Sequence, residues 1–190
     1  MDKNIQDVIT VYAEATPNPE SMKFVVNKML LPNDSADFRN AESAKAAGAL
    51  VEALFAMPFV KGVFIMNNFV SITKNNDYEW FDLIPDLRGF FQEWIEQGKE
   101  IVAPKKQLSP EQEGEIERKI RQLLEDHVRP AVEMDGGAID FKSFENGVVT
   151  VQMKGSCSGC PSSTMTLKAG IENLLKRMVP EVVAVEAEAV

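Results

Sequence analysis

A chain of 190 residues, 45% hydrophobic and 26% charged, has room for one large domain or two small ones and is too apolar to be disordered throughout. Its 29 acidic residues outnumber 20 basic ones, for a formal charge of −9. That charge repels phosphate backbones and anionic lipid, so no nucleic-acid or membrane partner is expected. No apolar run approaches the ~20 residues that span a bilayer. The start, Met1-Asp2-Lys3-Asn4-Ile5-Gln6-Asp7, lacks the charged and apolar regions of a signal peptide and carries acid early, unlike a transit peptide. A cytoplasmic protein with reduced thiols is expected.

The first half reads as alternating strands and helices. Ile9, Val11 and Ala13 alternate with polar or small residues, as in a half-buried strand. Thr16-Pro17-Asn18-Pro19 signals a turn, and Met22 to Leu31 reads as a second strand. Ala46, Leu50, Ala53, Leu54 and Met57 lie at helical spacing over Glu42 to Met57, and Pro58 stops that helix. Val60 to Met66 and Phe69 to Thr73, joined by Asn67-Asn68, form an expected hairpin. From Tyr78 the chain turns helical, with Leu87, Phe90, Phe91, Trp94 and Ile95 on one face. Pro85 is expected near the start of that helix, because an interior proline breaks it, and Gly98 is its expected C-cap.

Lys99 to Pro110 has no apolar period and reads as a linker. Ser109 then suits an N-cap, Pro110 the first helical position, and Glu111 and Glu113 the positive end of the dipole. Ile116, Ile120, Leu123, Leu124 and Val128 make the buried stripe, and Pro130 is expected to end the helix. Asp135-Gly136-Gly137 is a turn. Ile139 and Phe141 begin a strand, Asn146-Gly147 is a strong hairpin signal, and Val149, Val151 and Met153 share a strand face. After a cysteine loop come a helix marked by Leu167, Ile171, Leu174, Leu175 and Met178 and a strand from Glu181 to Ala187. The expected fold class is α+β: two small α+β domains joined by a linker, the second of order α-β-β-α-β with a CxxC loop before its second helix. The expected boundaries are 1–98, 99–110 and 111–190.

The chain has two cysteines, and both fall in Cys157-Ser158-Gly159-Cys160. A bridge closing so short a loop would stabilise little, so the pair reads as a site. The segment leaves a strand and enters a helix, where orphan N–H groups and the dipole favour a thiolate, the species that binds metal. Gly155 and Gly159 allow tight bending, Pro161 suits a first helical turn, and Ser162, Ser163 or Thr164 can cap it. An iron–sulfur cluster takes four thiolates and a structural zinc four ligands. One chain offers two cysteines and the distant His127. Carboxylates or exogenous thiols would have to complete a site within one chain, whereas a two-fold dimer supplies Cys157 and Cys160 twice. Such an open site suits transient cargo. By itself CxxC fits cluster, zinc or copper binding, or redox exchange.

Seven stretches run in order: Val128-Arg129-Pro130-Ala131, Asp135-Gly136-Gly137, Gly147-Val148-Val149, Gly155 to Thr164, Thr166-Leu167-Lys168, Gly170-Ile171-Glu172 and Val179-Pro180-Glu181-Val182. Together they closely resemble the Nfu-type domain, the C-terminal domain of NifU, over roughly Glu113 to Glu186. The resemblance implies an iron–sulfur cluster scaffold or carrier, not an enzyme. It implies a [4Fe–4S] cluster, with [2Fe–2S] as the alternative, bound through Cys157 and Cys160 between the protomers of a homodimer. It also implies delivery of that cluster to apo iron–sulfur clients and dealings with upstream assembly proteins. One departure is Ala138, where the family is associated with an acidic residue; a local turn effect is expected. Thr16 to Pro19, Met22-Lys23-Phe24, Ala53-Leu54-Phe55, Gly62-Val63 and Phe69 to Lys74 more loosely resemble the N-terminal domain of Nfu proteins over Ile9 to Gln97. That domain has no cysteine, so client or partner recognition is its expected role.

Other residues have ordinary readings. His127 suits the negative end of a helix dipole. Arg129 suits a C-cap or a brace near Asp135, itself a turn former. Trp80 and Trp94 suit domain packing, and Met22, Met57, Met153 and Met178 core filling. Two other functions compete: a CxxC thiol–disulfide oxidoreductase, against which stands the expected lack of a surrounding βαβ unit, and a zinc or copper metallochaperone. With one histidine the chain offers no Ser–His–Asp set, and it has no P-loop or dinucleotide fingerprint.

Overall fold

The computed structural model describes residues 8–45, 47–102, 114–158 and 161–189. The chain divides into two compact units, Met1–Pro104 and Lys105–Val190. Among the described residues no helix is long and apolar enough to cross a membrane.

The first unit is a five-stranded antiparallel sheet with helices on one face. Its strands are β1 (Val11–Ala15), β2 (Ser21–Val26), β3 (Leu31–Phe38), β4 (Val60–Asn67) and β5 (Phe69–Lys74), in the order β1-β2-β5-β4-β3. The β4–β5 hairpin forms as expected: Met66 pairs with Phe69 across Asn67-Asn68, and Asn67 takes φ 47°. The expected single strand from Met22 to Leu31 is instead β2, a bend and the start of β3. Nothing apolar alternates along Leu-Pro-Asn-Asp-Ser, because β3 is an edge strand whose register shifts between Leu31 and Ser35. Pro32 falls in that irregular stretch, where an edge tolerates a missing donor.

The expected helix from Glu42 to Met57 is likewise two, α1 (Ala41–Ala44) and α2 (Ala49–Phe55). Gly48, at φ 127°, breaks the run. Helix α3 (Trp80–Glu96) starts close to the expected Tyr78, but Pro85 lies inside it, in its second turn, and does not break it. The proline leaves the Phe81 carbonyl without its helical donor, and Phe81 is exposed to water. Gly98, at φ 63°, donates its N–H to the Ile95 carbonyl and closes the helix as expected. Leu83, Leu87, Phe91 and Ile95 face a core built from Phe24, Val26, Val63, Ile65, Val70, Ile72 and the α2 residues Leu50, Val51 and Leu54. Trp80 and Trp94 do pack, each also donating through its indole N–H, to the Pro19 and Glu100 carbonyls. Ile101 and Val102, expected in a linker, pack against this core. Residues 103–110 of the expected linker lie outside the described residues.

So do Ser109, Pro110, Glu111 and Glu113, the expected helix start. The described helix α4 (Glu115–Leu123) begins after Gly114, whose N–H donates to the Glu117 carboxylate at 2.8 Å. Pro130 does not end the helical stretch. A π-helical turn over Leu124–Val128 leads into α5 (Arg129–Met134), with the proline in the first turn of the new helix. There its missing N–H leaves no bond unmade. Strands β6 (Gly137–Glu145) and β7 (Val148–Gly155) form the second hairpin. Asn146 and Gly147 both take positive φ, 51° and 80°, as a two-residue primed turn requires.

Helix α6 (Pro161–Met178) returns the chain to β8 (Ala184–Ala189), which runs parallel to β7 in a sheet of order β6-β7-β8. Val149, Val151 and Met153 of β7 are buried under Ile120, Leu124, Val132, Ile171 and Leu175 from the helices. Met153 fills the core and Met22 and Met57 pack partly, but Met178 is exposed, contrary to expectation. The α+β class and the α-β-β-α-β order stand. The β7-α6-β8 connection is, however, a parallel βαβ unit, which the sequence reading did not anticipate. The expected lack of one therefore no longer weighs against redox chemistry.

Glu172 ties α6 to β8. Its carboxylate accepts from Lys176 Nζ at 2.6 Å and from the Val185 N–H at 3.1 Å. The lysine hydrogen bond first, then the Val185 amide, holds the carboxyl below its ordinary value of 4.5. A lowered folded-state value means that the tie is fully present above the unfolded value and is lost as pH falls through the folded one. An NMR titration should therefore move the Val185 amide signal below about pH 4.5, and Glu172→Gln should abolish that movement. A Val185 amide indifferent to acid would refute the tie.

Candidate functional site

The cysteine loop leaves the central strand of the second unit and enters α6. Gly155 ends β7 with φ 67°, and a 3₁₀ turn over Ser156–Ser158 follows. Cys157 is 6% exposed and belongs to the second core. Cys160 lies outside the described residues, as do the side chains of Ser162 and Ser163. Of the two expected ligands the structure therefore places one.

Two neighbouring elements hold the loop. The Asp135-Gly136 turn accepts from it: the Ser156 hydroxyl donates to the Asp135 carbonyl, and the Ser156 N–H to the Gly136 carbonyl at 3.4 Å. From the other side Thr164, in the first turns of α6, donates its hydroxyl to the Cys157 carbonyl at 3.0 Å. Thr164 thus fastens the loop from the α6 side.

The two glycines of the Asp-Gly-Gly turn differ in purpose. Gly136 takes φ 77°, which only glycine adopts without strain. Gly137 begins β6 opposite Gly155, and its need is space. A Cβ there would lie 2.7 Å from the Lys154 carbonyl oxygen and 2.9 Å from Cys157 Sγ. The sulfur occupies the room that a side chain at 137 would take. In the sequence Gly137 is legible only as part of the turn, and the doublet of glycines is the one signal there.

Ala138 was expected to affect a turn. It lies instead inside β6, fully buried and paired with Lys154. Arg129 does not brace Asp135 through any ion pair or hydrogen bond described: its guanidinium bonds Glu125 at 2.7 Å and lies 3.8 Å from both Glu133 and Asp140. Asp140 in turn receives Lys154 Nζ. Arg129, Asp140 and Lys154 thus link α5 to the hairpin that carries the loop, a network that spacing alone did not reveal. His127 is exposed at the end of the π turn. Among the described residues no three His, Cys, Asp or Glu side chains converge on a metal position.

The chain matches the NifU-like domain over residues 120–186 and the "Scaffold protein Nfu/NifU N terminal" domain over residues 11–98. It is 39% identical to the NifU-like protein 5, mitochondrial, of Arabidopsis thaliana over 186 residues, 94% of this chain and 67% of that protein. It is 36% identical to the human NFU1 iron-sulfur cluster scaffold homolog, mitochondrial, over 180 residues, 93% of this chain and 70% of that protein. The solution structure of a NifU-like protein from Saccharomyces cerevisiae covers 55% of this chain and 93% of its own, at 22% identity and a TM-score of 0.48, too loose a likeness to bear on the site. The expected cytoplasmic location is overturned: these relatives are named as mitochondrial proteins. A targeting segment is a separate address, so the composition of the folded units does not encode the compartment. With both domain models matched in order, and relatives of this identity along nearly the whole chain, the chain belongs to the NifU-like (Nfu) family of iron–sulfur cluster scaffold proteins.

Proposed function

We propose that this chain carries a [4Fe–4S] cluster as cargo, bound by Cys157 and Cys160 of two protomers, and passes it to apo-proteins without turnover chemistry of its own. Residues 111–190 form the cluster-binding domain in this reading, 99–110 the linker and 1–98 the domain that recognises clients or assembly partners. The observation that carries the reading is the setting of Cys157: a thiol at a strand-to-helix junction, walled by a residue with no side chain and pinned by hydrogen bonds on both sides. Thiolates are the ligands that clusters require, and four are needed. Two protomers supply that number. Release is ligand exchange: each Fe–S bond to Cys157 or Cys160 that breaks is replaced by one to an acceptor thiolate, with no net change in oxidation state.

Anaerobic reconstitution with iron and sulfide tests this directly. Wild type should turn brown, and Cys157→Ser and Cys160→Ser should each lose at least tenfold in bound iron and stay colourless. A colourless wild type would contradict the reading.

The βαβ setting of the loop favours one rival, thiol–disulfide exchange, which uses the same dithiol. An insulin-reduction assay separates the two, since a scaffold has no reason to turn over in it.

A further inference from the structure

Exposed large apolar side chains in the described part of the second unit fall into two groups. Met178 ends α6 and Val183 follows it, both at the far end of the helix from the cysteines. Met134 and Met165, 74% and 73% exposed, lie at the cysteine end. Met134 precedes Asp135, whose carbonyl accepts from Ser156, and Met165 follows Thr164, whose hydroxyl donates to the Cys157 carbonyl. Each methionine is thus one residue away from a hydrogen bond that fastens the loop, Met134 at the end of α5 and Met165 in the first turns of α6. Met165 also falls outside the buried stripe of its helix, which runs through Leu167, Ile171 and Leu175. Neither side chain serves the core.

We infer that Met134 and Met165 form an apolar rim around the cysteine loop that a second copy of this chain covers when the two copies share a cluster. The inference rests on the bridging reading above. A chain that contributes two of four thiolates must meet its partner at this loop, so whatever surrounds the loop becomes interface. In a two-fold dimer the same patch faces itself, and each copy brings both methionines. Iron–sulfur bonds supply most of the attachment. The rim's task is to exclude water from them, as near-neutral contacts do around the strong contacts of an interface. Flexible thioether side chains suit a surface that must close around cargo and reopen.

The test uses the full chain with Met134→Glu and Met165→Glu combined, and Met178→Glu as control. The control site lies 13 residues along α6 from Met165, roughly 20 Å at the helical rise. Exposed positions change folding stability little, and thermal melts of the apo forms verify this. The mass of the reconstituted protein and its iron per chain are then measured. The double variant should form at least tenfold less brown dimer than wild type at equal concentration. Met134→Leu with Met165→Leu should restore it, and Met178→Glu should match wild type.

A double Glu variant that loads and dimerises normally overturns the inference and leaves the bridging reading standing. If that variant also hands its cluster to an apo-acceptor slowly, the rim belongs to a client instead. A wild type that loads as a monomer overturns both.

Discussion

Gly137→Ala should cost the protein its ability to retain a cluster, with at least a tenfold loss of iron and sulfide per chain after anaerobic reconstitution and desalting. The substitution looks minor, and Gly137 does not need a left-handed backbone. The obstacle is volume. The new methyl would sit 2.7 Å from the Lys154 carbonyl oxygen and 2.9 Å from Cys157 Sγ. The carbonyl belongs to the paired strand and cannot swing away, so the sulfur and its 3₁₀ turn must move. Overpacking a well-filled core typically costs about 1–3 kcal/mol, which should also appear as a lower melting temperature. Gly170→Ala is the control. Its Cβ would meet nothing within 4 Å, so loading should be untouched and α6 should gain up to about 1 kcal/mol. A Gly137→Ala protein that loads like wild type would show that Cys157 need not hold this position to bind cargo.

Phe91→Ala should unfold one unit and spare the other. Phe91 is fully buried and packs its ring, tilted, against Phe24 and edge-on against Phe90, at centroid distances of 5.4 and 5.7 Å. Removing a core phenylalanine costs about 3–5 kcal/mol, a large share of the 5–15 kcal/mol that holds a typical domain together. In a domain of this size that lowers the transition by well over 10 °C. If 1–98 and 111–190 are separate domains, calorimetry should show one transition lowered, the other unmoved, and iron content per chain unchanged. Two transitions that fall together, or loading lost with the first unit, would refute that division and the assignment of cargo to the second unit alone.

What could be read from the sequence divides along physical lines. Both hairpins were legible because two asparagine- or glycine-rich residues sit between alternating apolar strands, and each signal is local. The buried faces of α3, α4 and α6 were legible because helical spacing does not depend on the partner. Strand β3 was not, since an edge strand with a bulge need not alternate. The break at Gly48 and the restart at Pro130 were misread because glycine and proline act through backbone geometry, which apolar spacing does not record. The parallel pairing of β7 with β8 is non-local and left no mark in either strand. At the site, Cys157 was found by residue type and spacing. The contact that positions it, from Gly137, was not, because closeness between residues twenty apart is a property of the fold.

The most direct test of the central claim is the mass and iron content of wild-type protein reconstituted without oxygen. A brown dimer with about four irons per two chains is the content of one shared [4Fe–4S] cluster and is the expected result. A monomer that holds a full cluster, or one that binds no iron and instead cycles between dithiol and disulfide, would contradict it.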